Sequence, residues 1–459
     1  MAFWHTEKKS PDHLALVDAG GLTLTWGELT DRIQKLGQSI PPRALVFIFC
    51  KNQCESVIGY LACLKQNAVA LMLDSDLDET LVKSLIDTYH PGYLWREDNG
   101  TFRLHETHLP PFQLHDDLAL LMTTSGSTGS PKLVRLSQRN LESNATSIAN
   151  YLSIDASERG LVSLPLNYVY GLSIVNSHLS AGATLLLTGA SVMQREFWQF
   201  VRNERANSMA GVPYTWEMLK KLRFMRMDLP DMRTLTQAGG KLAPALVKEF
   251  TDFAEQHGKR FIVMYGAAEA TSRMAWLAPE FAQSKNGSIG NPIPGGTFLL
   301  LDAYGQTITT PDTEGELVYQ GENVALGYAE RGEDLASGDT FNGTLYTGDI
   351  ARVDCDGFYT IVGRKKRFLK IFGNRVGLDE MEGLLKSGFP DLICACDGRD
   401  DLLCIFITDP AFESVVKQYA ADKSQLNHSA FCVITLDEIP KNAAGKTLYH
   451  RLKDYVPFV

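Results

Sequence analysis

The stretch TTSGSTGSPKLV, residues 123–134, concentrates six hydroxyls, two glycines and a lysine between two apolar runs. Gly126 and Gly129 let backbone N–H groups approach a ligand closely. Thr124, Ser125, Ser127 and Thr128 add hydroxyl donors, and Lys132 adds a positive charge. Together these are the parts of a phosphate-binding loop, although Ser, Thr and Gly also dominate ordinary surface turns. The Pro-Lys pair that closes the S-G-S-T-G core makes this arrangement more specific than its composition. A Walker A loop is excluded here, because it needs Gly-Lys followed by Ser or Thr and the stretch has no Gly-Lys pair. Gly445-Lys446-Thr447 supplies such a triplet, but Pro440 stands where the first glycine belongs and no strand–loop–helix context surrounds it.

The elements that position such a loop are legible in outline. ALVFIFC, AVALML, ATLLLTG and RFIVMYG are short apolar runs separated by stretches of helical period. Residues 27–40 show that period through Leu29, Ile33, Leu36 and Ile40. The alternation predicts mostly parallel sheets covered by helices. From about Phe298 the texture changes to FLLLDAYG, GELVYQG and GFYTIVG, which predicts a compact antiparallel-rich segment. Beyond the basic run RKKRFLKIFGNRV, a helix is expected over Leu378–Leu385 and strands over Leu392–Cys396 and Leu402–Ile407. The basic run lies where a linker between a large and a small domain would fall.

A chain of 459 residues exceeds a single core, so two or three domain-sized units are expected. The net charge of -10 weakens non-specific attraction to nucleic acid, and no nucleic-acid partner is expected. MAFWHTEKKS lacks a basic start followed by an apolar core, and no apolar run reaches the ~18 to 20 residues that cross a bilayer. The expectation is a cytoplasmic protein without a transmembrane segment. The eight cysteines sit mostly in hydrophobic runs without CxxC spacing, so buried free thiols are expected. Cys394, Cys396 and Cys404 lack a fourth ligand nearby, and zinc is not expected.

The loop TTSGSTGSPK resembles the phosphate loop of the adenylate-forming superfamily, which includes acyl-CoA synthetases, non-ribosomal peptide adenylation domains and firefly luciferase. The family's order continues with LPLNYVYGLS (164–173), AGGKLAP (238–244), MYGAAEAT (264–271), GSIGNPIPG (287–295), GELVYQG (315–321), YTGDI (346–350), GRKKRFLKIFGNRV (363–376) and PKNAAGK (440–446). TLTWGEL, 23–29, is similar to the family's opening, so the resemblance spans nearly the whole chain. It implies an α/β fold: a large N-terminal domain, 1–365, of helix-covered, mostly parallel sheets plus a small antiparallel-rich subdomain, then a small mobile α+β C-terminal domain, 366–459. Lys366 occupies the hinge position.

The resemblance also implies chemistry. A carboxylic acid would attack the α-phosphate of ATP, releasing pyrophosphate, and the acyl-adenylate would then pass to the thiol of coenzyme A or the phosphopantetheine of a separate carrier protein. By motif, the loop 124–132 holds the β- and γ-phosphates and Glu269 binds Mg²⁺. Ala268 replaces the family's usual threonine, which puts one phosphate contact in doubt. Tyr265, with Gly266 beside it, would stack on adenine, and Gly239, Gly240 and Lys241 would line its edge. Asp349 would accept the ribose hydroxyls, Arg364 would contact ribose and phosphate, and Lys446 would bring its ammonium to the reacting oxygens. Gly373 would flank a pantetheine tunnel. Tyr168, followed by Val169 and Gly171, is a candidate wall of the acyl pocket or a core aromatic. No aspartate follows the aromatic, which favours a small acid without a free α-amine over amino-acid adenylation for a stand-alone carrier. A degenerate nucleotide binder is argued against by Glu269, Asp349, Arg364 and Lys446. A P-loop ATPase would yield ADP instead of AMP.

Overall fold

The computed structural model describes residues 2–123, 132–365, 367–371, 374–424, 426–441 and 447–457. Thr124, Ser125, Gly126, Ser127, Thr128, Gly129, Lys366, Gly373 and Lys446 lie outside the described residues.

Two large sheets stand face to face with helices between them. One has nine strands and is parallel through its centre, from Leu14–Asp18 across to Arg260–Tyr265, with antiparallel strands at both edges. The other has seven strands around a parallel centre of Leu45–Cys50, Val69–Asp74, Tyr93–Asp98 and Leu118–Thr123, again with antiparallel strands outside. The runs ALVFIFC, AVALML, ATLLLTG and RFIVMYG supply central strands, where both faces are covered and apolar side chains can run uninterrupted.

Helices Cys54–Lys65 and Val169–Ala181 are apolar nearly all round because they pack between the sheets. Helix Trp26–Gly37 begins with a capping box at Thr25 and Glu28 and ends three residues before the sequence pattern does. The outer faces are covered separately, by Arg195–Asn203, Pro213–Lys221 and Pro244–Gln256 on the nine-stranded sheet and by Glu79–Tyr89 on the seven-stranded one.

The texture change at Phe298 is a four-stranded, fully antiparallel sheet of Gly296–Leu301, Gly315–Gly321, Thr344–Val353 and Tyr359–Arg364. After it the chain builds a hairpin, Phe368–Ile371 with Asn374–Gly377, and a separate three-stranded sheet covered by Leu378–Gly388 and Glu413–Ser424. The expected strand at 402–407 is observed with those ends, whereas its partner starts at Cys394, because Leu392 closes a turn on the Phe389 carbonyl. Six of the eight free cysteines are buried, and among the described residues no cluster of acidic, histidine or cysteine side chains could hold a metal. No helix among the described residues is long and apolar enough to cross a membrane.

Candidate functional site

The hydroxyl-rich loop joins two antiparallel neighbours, Leu118–Thr123 and Leu133–Ser137. It is therefore the connection of a hairpin. At its exit the Lys132 ammonium lies 3.6 Å from the centre of the Tyr328 ring and 3.6 Å from Glu330 Oε1. Tyr328 belongs to the edge strand Gly327–Ala329, which pairs with Leu133–Ser137. Its hydroxyl donates to Glu269 Oε1 at 2.9 Å. One aromatic side chain thus joins the loop's lysine to the expected metal-binding carboxylate.

Arg135 fixes that strand. Its fully buried guanidinium donates to the carbonyls of Tyr328 at 3.0 Å, Gly338 at 2.9 Å and Leu326 at 3.1 Å, and also to that of Ser337. A buried cation is tolerable only with its donors satisfied, and here backbone carbonyls do so. Neither Tyr328 nor Arg135 was marked by the sequence, since each reads as an ordinary strand residue.

Glu269 sits on a single helical turn, Ala268–Ala270, just past the end of the strand Arg260–Tyr265. The chain then reverses at Thr271, whose φ of 64° and ψ of -46° with a Ser272 N–H to Ala270 carbonyl bond of 2.6 Å describe a tight γ-turn. That conformation is rare and strained for a β-branched residue. It is held by the Thr271 hydroxyl on the Asn323 carbonyl at 2.7 Å, and by Asn323 Nδ2 donating to Ala270 at 2.9 Å and Arg273 at 3.1 Å. Asn144 Nδ2 adds a second bond to the Arg273 carbonyl at 3.0 Å. Gly266 is required by the same turn, because a Cβ there would stand 1.7 Å from the Ser272 carbonyl oxygen.

The second cluster lies at the start of this turn. The Tyr265 hydroxyl donates to Asp349 Oδ2, and Arg364 Nε meets Asp349 Oδ1 at 2.9 Å. Asp349 and Arg364 are register partners in neighbouring antiparallel strands, which explains their approach. Asp349 is buried while the Arg364 side chain is 63% exposed, so the arginine is free to turn, provided the carboxylate it leaves finds other donors. Burial, reinforced by the adjoining carboxylate, pushes the Tyr265 phenol well up and keeps it a donor.

Gly239 has φ +84°, and a Cβ on it would stand 2.5 Å from the Tyr168 hydroxyl oxygen. Tyr168 caps the helix Val169–Ala181 and meets Tyr170 edge-on at 6.3 Å. Gly240 accepts from Gln237 Nε2 at 2.8 Å, and Lys241 Nζ reaches the Ile361 carbonyl at 3.4 Å. Gly171 is buried, with the Pro165 carbonyl 2.2 Å from where a Cβ would stand, so it serves close backbone packing. The described residues thus bring together Lys132 and Glu269 through Tyr328, Tyr265 with Asp349 and Arg364, and Gly239 with Tyr168.

Among the described residues only one oxygen of Glu269 has a hydrogen-bond partner, and a carboxylate with its other oxygen available suits Mg²⁺, which normally takes one or two carboxylates and completes its shell with phosphate oxygens and water.

A model of the AMP-binding enzyme family matches residues 3–94 and 90–329. Oxalate–CoA ligase of Arabidopsis thaliana is 27% identical, over 96% of this chain and 95% of that protein. 2-Succinylbenzoate–CoA ligase of Geobacillus is 26% identical, over 98% of this chain and 96% of its own length. The structure of o-succinylbenzoate CoA synthetase from Bacillus subtilis with its acyl-adenylate intermediate has the same fold, with a TM-score of 0.82 at 24% identity over 99% of this chain and 98% of that one.

Proposed function

The chain belongs to the AMP-binding enzyme family, and on that premise we propose that it joins a carboxylic acid to AMP with release of pyrophosphate and then transfers the acyl group to a thiol. The observation that carries this reading is the chain of contacts from Lys132 through Tyr328 to Glu269, four residues from the Tyr265–Asp349 pair. It sets a phosphate-directed cation and a metal-directed carboxylate beside a buried carboxylate suited to ribose hydroxyls.

A free carboxylate is a poor acyl donor because it is anionic and its leaving group is poor. In the first half-reaction one of its oxygens forms a bond to the α-phosphorus as the bond to pyrophosphate breaks, so catalysis is positioning plus neutralisation of developing charge. Thr124, Ser125, Gly126, Ser127, Thr128, Gly129 and Lys132 hold the departing phosphates. Mg²⁺ bound at Glu269 supplies further neutralisation of phosphate charge. Asp349, fixed by Tyr265, takes the ribose hydroxyls once Arg364 turns from it toward the phosphate, while Tyr265, Gly239, Gly240 and Lys241 border the adenine. Lys446 brings its ammonium to the oxygens where charge concentrates. In the second half-reaction the small domain, 366–459, turns about Lys366 so that Gly373 flanks the incoming thiol, and closure excludes water from the anhydride.

The relatives named as acid–CoA ligases favour coenzyme A as the acceptor. The experiment is product identification with ATP, Mg²⁺ and a panel of acids, with and without coenzyme A. AMP and pyrophosphate dependent on an acid, plus an acyl-CoA of the expected mass, are the expected result. ADP as the product, or no acid-dependent turnover, would sink the reading. Acid-dependent AMP without any acyl-CoA would move the acceptor to a carrier protein.

A further inference from the structure

Between the helix Val169–Ala181 and the nine-stranded sheet lies a cavity of about 20 Å³ whose largely apolar wall is interrupted by Glu158, His178, Ser208, Thr234, Thr236 and Arg273. Ser208 and Ala210, and Thr234 and Thr236, alternate along two strands so that each pair presents the same face to it. Its upper end adjoins Tyr170, whose hydroxyl lies 3.0 Å from both the carbonyl and the Oγ1 of Thr236. Gly239 follows two residues beyond that strand, so a strand that lines the cavity leads on to the proposed adenylation site.

Arg273 lines this cavity and is only 2% exposed. Its Nη1 bonds the Tyr151 hydroxyl at 3.3 Å and Met264 Sδ at 3.1 Å, and its guanidinium lies 5.0 Å over the Tyr170 ring. Its Nε is buried without a hydrogen-bond partner, and among the described residues no carboxylate forms an ion pair with it. A buried guanidinium left with a vacant donor and no counter-charge is costly. Contrast Arg135, equally buried, whose donors are taken up by four carbonyls.

The other titratable groups around the cavity do not neutralise Arg273. His178 faces it as a neutral ring, with Nδ1 2.8 Å from the Ile174 carbonyl, Nε2 3.3 Å from Ser208 Oγ, and its pKa lowered by burial to about 4. Glu158 lines the far end, where burial raises its pKa and where Ser208, Arg233 and Arg260 are its partners. Tyr151 and Tyr170 are phenols that burial keeps protonated.

We propose that this cavity is the blind end of the acid-binding pocket and that the substrate is a short diacid whose second carboxylate pairs with the Arg273 guanidinium that lines it. The proposal rests on the adenylation reading and narrows its substrate class. A space of this size takes one small polar terminus or a water or two and rejects a methylene tail. A carboxylate supplies the missing charge and accepts from the guanidinium, a pairing stronger than one between neutral groups. A monoacid of the same length would leave the cation buried and unpaired. Sites that hydrogen-bond a substrate group discriminate strongly against analogues that lack it.

The test is ATP–pyrophosphate exchange by the full-length enzyme. Aliphatic and aromatic diacids of three to eight carbons are compared with monoacids of equal carbon number and with the corresponding half-amides. The expected result is a kcat/KM at least about 10²-fold higher for one diacid than for its monoacid, with the half-amide between them. Arg273→Met should remove that preference, lowering the diacid by about the same factor relative to the monoacid. Arg273→Lys should keep part of it. Monoacids used as well as diacids, or an unchanged preference in Arg273→Met, would overturn the proposal while leaving the adenylation reading intact. If the variant fails to fold, the wild-type panel decides alone. Exchange with no acid at all would overturn the adenylation reading, and this inference with it.

Discussion

Tyr328 holds two functional groups at once, its ring under the Lys132 ammonium and its hydroxyl on Glu269. Tyr328→Phe keeps the ring and removes only the bond to the carboxylate. A hydrogen bond to a charged group contributes about 1.5 to 3 kcal/mol, so pyrophosphate exchange should fall roughly 10- to 100-fold. The Mg²⁺ concentration for half-maximal activity should rise; an unchanged Mg²⁺ titration would show that the hydroxyl does not orient Glu269. His178 yields a second residue-level prediction. Burial lowers its pKa to about 4 from an ordinary value near 6.5, so on acidification the unfolded chain takes up the proton first. The stability tied to the neutral ring is fully present above about pH 6.5 and lost as pH falls toward 4, roughly 3 kcal/mol in total. In an NMR titration its ring resonance should stay at the neutral position down to about pH 5, and a midpoint near 6.5 would refute the buried placement. Glu269, Asp349 and Lys132 were legible because each stands in a short contiguous motif. Tyr328, Arg135 and Asn323 were not, because they act across 50 or more residues on the Glu269 turn or the strand beside it, and only the fold brings them near.

At the scale of elements, the turn 266–274 is the most tightly constrained part of the site. A Cβ at Gly266 would collide with backbone, which cannot rotate aside as a side chain can. Gly266→Ala should therefore cost about 2 kcal/mol or more and displace Glu269. A lowered melting temperature together with weakened Mg²⁺-dependent exchange is expected, and wild-type values for both would show that the turn relaxes freely. Central strands and buried helices could be read from the chain because burial on all sides leaves uninterrupted apolar text. The edge strands could not. Thr101–Glu106, at a sheet edge, alternates between exposed and half-buried residues and carries no comparable apolar run. The antiparallel pairing around the phosphate loop was hidden for another reason: two apolar strands flanking a polar loop read alike whether the chain returns by a hairpin or by a crossover.

For the whole molecule, the hydrophobic clusters divide near residue 365: among the described residues, none draws side chains from both sides of it. One contact across that line sets the Lys441 ammonium 4.8 Å from the centre of the Tyr214 ring. Two cores that share no hydrophobic cluster unfold separately and move at small cost. Calorimetry should accordingly show two transitions, and one cooperative transition for the entire chain would argue against independent domains. The same division assigns different work to each half-reaction. In the proposed mechanism Lys446, which follows that boundary in the chain, serves only the step in which charge builds on the α-phosphate. Lys446→Ala should lower acyl-adenylate formation by about 10²- to 10³-fold, as loss of a preorganised electrostatic group does, with ATP binding retained. Supplied with a ready-made acyl-adenylate, the variant should still form thioester at near the wild-type rate, because the thiol step approaches through a different surface of the turned domain. Equal losses in both half-reactions would mean that the lysine stays at the site throughout, and the domain would then have no reason to turn.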